Sequence, residues 1–550
     1  MKLSVYFFGI RIILWNFASV IKIKVMRGKF KLALMALMMM ACSKEGPSPG
    51  RDLDFDYGRG LSHEKIVLGE RLENPYKTEN ITKALASLYP TKADRVDIRT
   101  TDLYVRFLPS DMAEYDTLSS LGLRLMDHPL DYAIMVEGDW YHDPEIPEED
   151  MTWQYAVVPA GFSFPDIRYE VIDECFIADN SATRASDGID WEAVERQAYI
   201  MTGNEGLLLP ESKSSKSSSC PQGRITIVDE HYNGGQAIGV SGVKVSCNSF
   251  VRFDDDYTDK DGYFRMNKSF SSNIRYRLIF DNEKGFSIGF NLVLVPASIS
   301  TLGKSSPSGI NMTVTKDSED KLFRRCVVNN AAYDYICSCE AADGLEIASP
   351  PSSLRIWLLH SLRASSAVMM RHGTVLDNGL LKKFLGEYSS LVKFFLPDLT
   401  IGVKGADEYR EIYSSTSHEL AHSSHFMKVG KDYWNRYIRY IIESFITSSG
   451  ITYGDGTESD AGYCEVGEMW AYYLESLIYK KRYGGDFPTF GNSYWFKPEI
   501  FRYLDSRGVT CGEIFEVLDT EVSSAKSLEM ALITEYPTKR SLIERAFDKY

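Results

Sequence analysis

The stretch "DEYREIYSSTSHELAHSSHFMKVG", residues 407–430, constrains this chain more than any other. Its apolar residues recur at spacings of three and four, and Gly430 follows, so it reads as a long helix stopped near that glycine. On a helix His418 and His422, four residues apart, project from one face, with Glu419 one position after the first. The chain has only nine histidines, and three of them (His418, His422 and His425) stand here. A fold that forms this helix must either expose the imidazoles as ordinary surface residues or bring a further group to meet them.

That group is expected downstream. "YCEVGEMWAYYLESLIYKKRYG", residues 463–484, has a strong helical pattern that places Glu465, Glu468, Tyr472 and Glu475 near one face. Two imidazoles and one carboxylate can take three corners of a Zn²⁺ tetrahedron, leaving a fourth open. Glu419 is then placed to accept a proton from water at that open position.

"HELAH" together with "GEMWAYYLE" resembles the paired helices of gluzincin zinc metallopeptidases. The resemblance implies that His418, His422 and Glu468 hold Zn²⁺, that Glu419 is the general base, and that Ala471 fills the small position beside the metal. Glu468 follows His422 by 46 residues, and Gly467 stands where Asn is frequent. Glu465, one turn earlier, is the competing carboxylate, or a partner orienting a ligand histidine. The metzincin continuation fails, because His425 occupies its glycine position and Lys428 its last histidine. His425 is expected beside the site or facing solvent, not as a ligand. Tyr472, Tyr473 and Tyr494 remain open as the group that steadies an oxyanion. The implied activity is hydrolysis of peptide bonds in a peptide or protein substrate.

The N-terminus sets the expected location. "RGKFK" (27–31) is a short basic segment, and "LALMALMMMA" (32–41) is an apolar run shorter than the ~20 residues of a spanning helix. With Met39-Met40-Ala41-Cys42 it resembles a bacterial lipoprotein signal, which implies cleavage before Cys42 and lipidation of its thiol. Met26 would give a well-formed signal by itself and is expected to be the start. The protein is thus expected as a membrane-anchored lipoprotein of the cell envelope.

Composition narrows the remaining classes. The chain has 550 residues, 44% hydrophobic, enough for several buried cores. Residues 1–41 hold seven Lys and Arg and no acid, leaving 54 basic against 76 acidic residues, a formal charge of −22. That balance excludes a general nucleic-acid binder. Nothing in the chain sets an oligomeric state.

A multidomain chain is expected. Residues 1–42 are the signal and 43–50 a polar tether. Residues 51–210 form an α+β, strand-rich region containing "DLYVRFLP" and "TWQYAVVP", and 211–222 a Ser-rich linker. The first region resembles the N-terminal part of lipoproteins common in gut Bacteroidetes, which implies no activity. Its His128 and His142 match no metal spacing and read as structural or exposed.

Residues 223–300 read as a small β-sandwich. "GVKVSC" and the turn Thr258–Phe264 resemble carboxypeptidase-regulatory-like, transthyretin-like domains. The acids from Asp254 to Asp261 lack EF-hand spacing and read as a solvated hairpin tip. Residues 320–550 read as a mainly α, zincin-like (α+β) domain, with amphipathic helices at 354–370 and 379–396 and a strand at Pro397–Val403. A disulfide from Cys326 to Cys337 or Cys339 is a candidate. A second reading of the whole stays open: a surface-anchored binding or adhesion lipoprotein whose zincin-like domain is structural or inactive.

Overall fold

The computed structural model describes residues 65–91, 96, 98–147, 150–180, 188–210, 218–289, 297, 299–317, 320–360, 363–374, 397–447, 453–485 and 495–550. The signal, Cys42, the tether, the expected helix at 379–396 and Tyr494 lie outside them. Among the described residues no helix is long and apolar enough to cross a membrane. The molecule is a multidomain α+β protein with several sheets and a helical C-terminal region.

In the N-terminal region Asp102–Phe107 (β1) is the central strand. Gln154–Pro159 (β2) and Tyr169–Cys175 (β3) pair antiparallel on either side of it. Side chains on the two faces of these strands feed two separate clusters, as alternation requires. Val105, Phe107, Ala156 and Val158 meet Leu118 and Ile167. Tyr104 and Tyr155 instead join Phe250, Val251 and Phe253 from the next region. Thr78–Leu88 (α1) and Trp191–Met201 (α2) pack through Ile81, Leu85, Val194 and Ala198.

The following strands build two sheets over a shared core. Gln222–Val228 (β4) lies in a small sheet, while Val243–Ser249 (β5), Arg252–Tyr257 (β6) and Ile274–Asn282 (β7) lie in a larger one. The larger sheet continues through Ser287–Gly289 (β8) into Arg355–Leu359 (β10), Leu399–Gly402 (β12) and Ser366–Ala367 (β11), while Ile310–Val314 (β9) adds parallel to β4. One hydrophobic cluster holds Val245 and Leu278, Val327 of the helix Asp320–Glu340 (α3), Ile356 and Ile401, and Leu420, Trp434 and Trp470. Strands therefore cross the segment 300–320 that separates the two regions in sequence.

Three expectations change here. Among its described residues the segment 354–370 holds no helix: "RIWLL" of β10 is buried at every position, between parallel neighbours β8 and β12. A strand buried on both faces shows an unbroken apolar run, which periodicity alone confuses with a helix. None of Cys326, Cys337 and Cys339 is in a disulfide, and all lie on α3, where Cys337 lies eleven residues, about 16 Å, beyond Cys326, too far for one. The acidic hairpin is solvated only at its tip, where Asp259 and Asp261 are exposed. Asp254 is buried and accepts from the N–H groups of Asn267 and Lys268, and Asp256 accepts from that of Arg265.

The helix expected at 407–430 is Tyr409–Thr447 (α4), broken at Gly430, where φ is 74° and ψ −178°. In a continuous helix Tyr437 would stand about 22 Å beyond His422. Their ring centroids are 5.6 Å apart, and those of His422 and Trp434 5.7 Å, so the chain turns back on itself at the glycine. Trp434 Nε1 donates to the carbonyl of Ala367 at 2.8 Å, tying the returning half to the edge strand β11. The backbone at Gly430 lies in a region that only glycine enters readily, although a Cβ there would meet nothing within 4 Å. Gly430→Ala is expected to lower stability by about 1–3 kcal/mol through backbone strain alone. A lower urea midpoint with an unchanged slope checks it.

Candidate metal centre

Two helices deliver the site. α4 carries His418, Glu419 and His422, and Ala461–Tyr483 (α5) carries Glu468. α5 ends in a left-handed Gly484 (φ 74°), with Lys480, Lys481 and Arg482 in the last turn, where cations suit the helix dipole. Trp470 of α5 donates its Nε1 to the carbonyl of Ala421 at 3.0 Å. That bond sets the register of the two helices with Ala421, beside the histidine pair, opposite the α5 turn that holds Glu468.

His418, His422 and Glu468 each offer one ligand atom, and these atoms all lie within 4.8 Å of one another. His418 Nε2 stands 3.5 Å from Glu468 Oε2, and His422 Nε2 stands 3.5 Å from Glu468 Oε1. Ligands about 2.1 Å from a tetrahedral ion are roughly 3.4 Å from each other, a spacing that the His418 Nε2–Glu468 Oε2 pair matches. All three residues are at most 1% exposed. Both Nε2 atoms and Glu468 Oε2 make no hydrogen bond. Unsatisfied buried polar atoms cost about 1–3 kcal/mol each, a penalty that a shared ion removes. This buried group can hold a metal ion.

The surroundings orient the imidazoles. Glu475, seven residues after Glu468 on the same face of α5, accepts from His418 Nδ1 at 3.1 Å through Oε2 and from the Ser414 hydroxyl at 2.5 Å through Oε1. A proton held on Nδ1 leaves Nε2 as a lone-pair donor facing Glu468. Tyr437 donates its hydroxyl to Glu468 Oε1 at 2.6 Å. Burial disfavours charge on His418, but the carboxylates of Glu468 and Glu475 outweigh it and push its pKa up to about 9. Burial prevails at His422 and lowers its pKa. At Glu468 burial opposes ionisation, and the two imidazoles still hold its carboxyl below the usual range.

The remaining candidates separate clearly. Glu465 accepts from the backbone N–H of Ala525 at 2.7 Å, at the start of the helix Ala525–Glu535 (α6), so it is neither ligand nor histidine partner. Glu475 takes the partner role. His425 does not face solvent: it is buried against Tyr433 and Trp434, and burial pushes its pKa down to about 3. It stands apart from the metal group, with no hydrogen bond at either ring nitrogen. Tyr472 lies edge-on to His418, ring centroids 4.6 Å apart, whereas Tyr473 packs against Trp470 and Phe501.

Outside the metal group, His128 is held by Asp127 and Arg277, and His142 by the carbonyls of Asp143 and Asp150; both are structural. Sequence reasoning set Glu475 on the right helix face without a role. It missed Ser414 and Tyr437, whose only signals were a serine one turn before His418 and a tyrosine beyond the helix break.

No family model, no curated protein and no solved structure matches this chain.

Glu475→Gln, which keeps the shape but not the charge, is expected to weaken metal binding by about 10–100-fold in a chelator competition. His425→Leu is expected to leave the metal content unchanged. A raised His418 pKa stabilises the metal-free fold below about pH 6.5, and that contribution is lost as pH rises through about 9. Chelated protein should therefore lose thermal stability across this window, while metal-loaded protein, whose His418 is already deprotonated, should not.

Proposed function

We propose that this protein is a zinc-dependent metallopeptidase, carried on the cell envelope by a lipid on Cys42. The observation that supports it most is the burial together of His418 Nε2, His422 Nε2 and Glu468 Oε2, none of them hydrogen-bonded, with the buried Glu419 following His418 in the chain. Two imidazoles and one carboxylate are the donor set of a catalytic zinc site with one position left open. A bound zinc ion supplies Lewis acidity, polarising a carbonyl and acidifying a water.

The chain's own residues do the rest. Glu419 takes a proton from the attacking water and passes it to the leaving amine. Glu475, itself held by Ser414, fixes the tautomer and orientation of His418. Trp434 and Tyr437 flank His422 and keep bulk water from its ring. Low dielectric around Glu419, which is fully buried, strengthens each charge that develops there.

One observation favours the second reading, a binding or adhesion lipoprotein whose zincin-like domain is structural. His418, Glu419, His422 and Glu468 are all buried, as in a closed structural site. Replacing the base separates the two. Purified protein should contain about one equivalent of zinc, and Glu419→Gln should retain it while peptide cleavage falls by about 10²–10⁴-fold. Retained zinc with no cleavage by either form would favour the structural reading, and wild-type protein without metal would overturn both zinc-based readings.

A further inference from the structure

Gly467 departs from the residue frequent at its position in the helices that "GEMWAYYLE" resembles, and the metal-centre geometry gives it a role. An ideal Cβ at Gly467 would lie 3.2 Å from Tyr437 Cε2 and 3.4 Å from Cδ2. Gly467 is therefore a notch in α5, and the ring of Tyr437 sits in it. The notch lies one residue before Glu468, so the seated ring brings its hydroxyl to Glu468 Oε1 at 2.6 Å. The ring also stands 5.6 Å from that of His422 and 4.6 Å from that of Trp434, which leaves it little freedom to turn.

We propose that Tyr437, seated in the Gly467 notch, is a positioning residue that reserves Oε1 of Glu468 for a hydrogen bond and presents Oε2 alone to the metal. The proposal rests on the metal-binding reading of the site. A hydroxyl donating to a carboxylate oxygen at this distance is a charge-assisted bond, about twice as strong as a neutral one. It competes with the metal for the lone pairs of Oε1 while leaving those of Oε2, which makes no hydrogen bond. The expected result is one-oxygen ligation and a coordination position left free on the ion.

The break at Gly430 makes this arrangement available, because it carries Tyr437 back across the histidines. Four residues from two helical stretches thus act together: Gly430 turns the chain, Gly467 admits the ring, Tyr437 donates and Glu468 accepts.

The test uses the full chain loaded with Co²⁺ in place of zinc, whose visible absorption reports ligand number and geometry. Tyr437→Phe keeps the ring and removes only the donor. It should fold normally by circular dichroism, bind Co²⁺ about 10–100-fold more weakly, and shift the visible band to that of a higher coordination number as Oε1 joins the ion. Gly467→Ala should show the same change in milder form. Combined with Tyr437→Phe it should add little, since both act through one hydrogen bond. Wild-type affinity and spectrum in Tyr437→Phe would overturn the positioning role. Additive losses in the double variant would overturn the notch. Wild-type protein that takes up no Co²⁺ would instead overturn the metal reading beneath it, so the failures are distinguishable.

Discussion

Two imidazoles and a carboxylate lie together in the interior of this protein with no water-facing surface, and much of the surrounding structure answers the cost of that placement. Each Nε2 stands 3.5 Å from a Glu468 oxygen, and both Nε2 atoms and Oε2 lack hydrogen bonds, an arrangement that is unfavourable unless a cation occupies the centre or a proton bridges the pair. The neighbours are those a charged centre needs. Glu475 supplies negative charge behind His418, Tyr437 supplies a donor to Glu468, and Trp434 walls off His422. The raised pKa of His418 and the lowered pKa of His422 express the same imbalance. One imidazole has two carboxylates beside it, and at the other burial prevails.

Three helical segments share the work of enclosing this group. The first half of α4 brings the histidines, α5 brings both carboxylates, and the second half of α4 returns to lay aromatic rings over the result. Only the glycine backbone at Gly430 permits that return within so short a length. Trp434 then joins the helices to the sheet edge through Ala367, and Trp470 joins α5 to α4 through Ala421. The site is thus braced against the sheet that runs on into β5, β6 and β7.

The parts legible in sequence were those governed by local rules. Helical spacing placed His418 and His422 on one face, and the period of α5 put Glu468 and Glu475 on another; both pairings hold in three dimensions. The strands "DLYVRF" and "QYAVVP" were legible by their alternation. "RIWLL" was not, because a strand covered on both faces loses the alternation that identifies it. The split between Glu465 and Glu475 was also hidden. Both lie within two turns of Glu468, and only the position of α6 claims the first while the position of α4 claims the second.

By itself the sequence determined which side chains share a helix face, where glycine interrupts a helix, and that the chain carries an HExxH pattern followed by a glutamate-bearing helix. These follow from bond geometry within a few residues and need no knowledge of the rest. The tertiary structure alone decided that the two helices meet in a register placing Glu468, not Glu465, against the histidines. It alone decided that Tyr437 reaches the carboxylate through the gap at Gly467, and that His425 is buried in an aromatic wall apart from the metal group. Those outcomes depend on desolvation and packing between segments tens of residues apart, which no local pattern encodes.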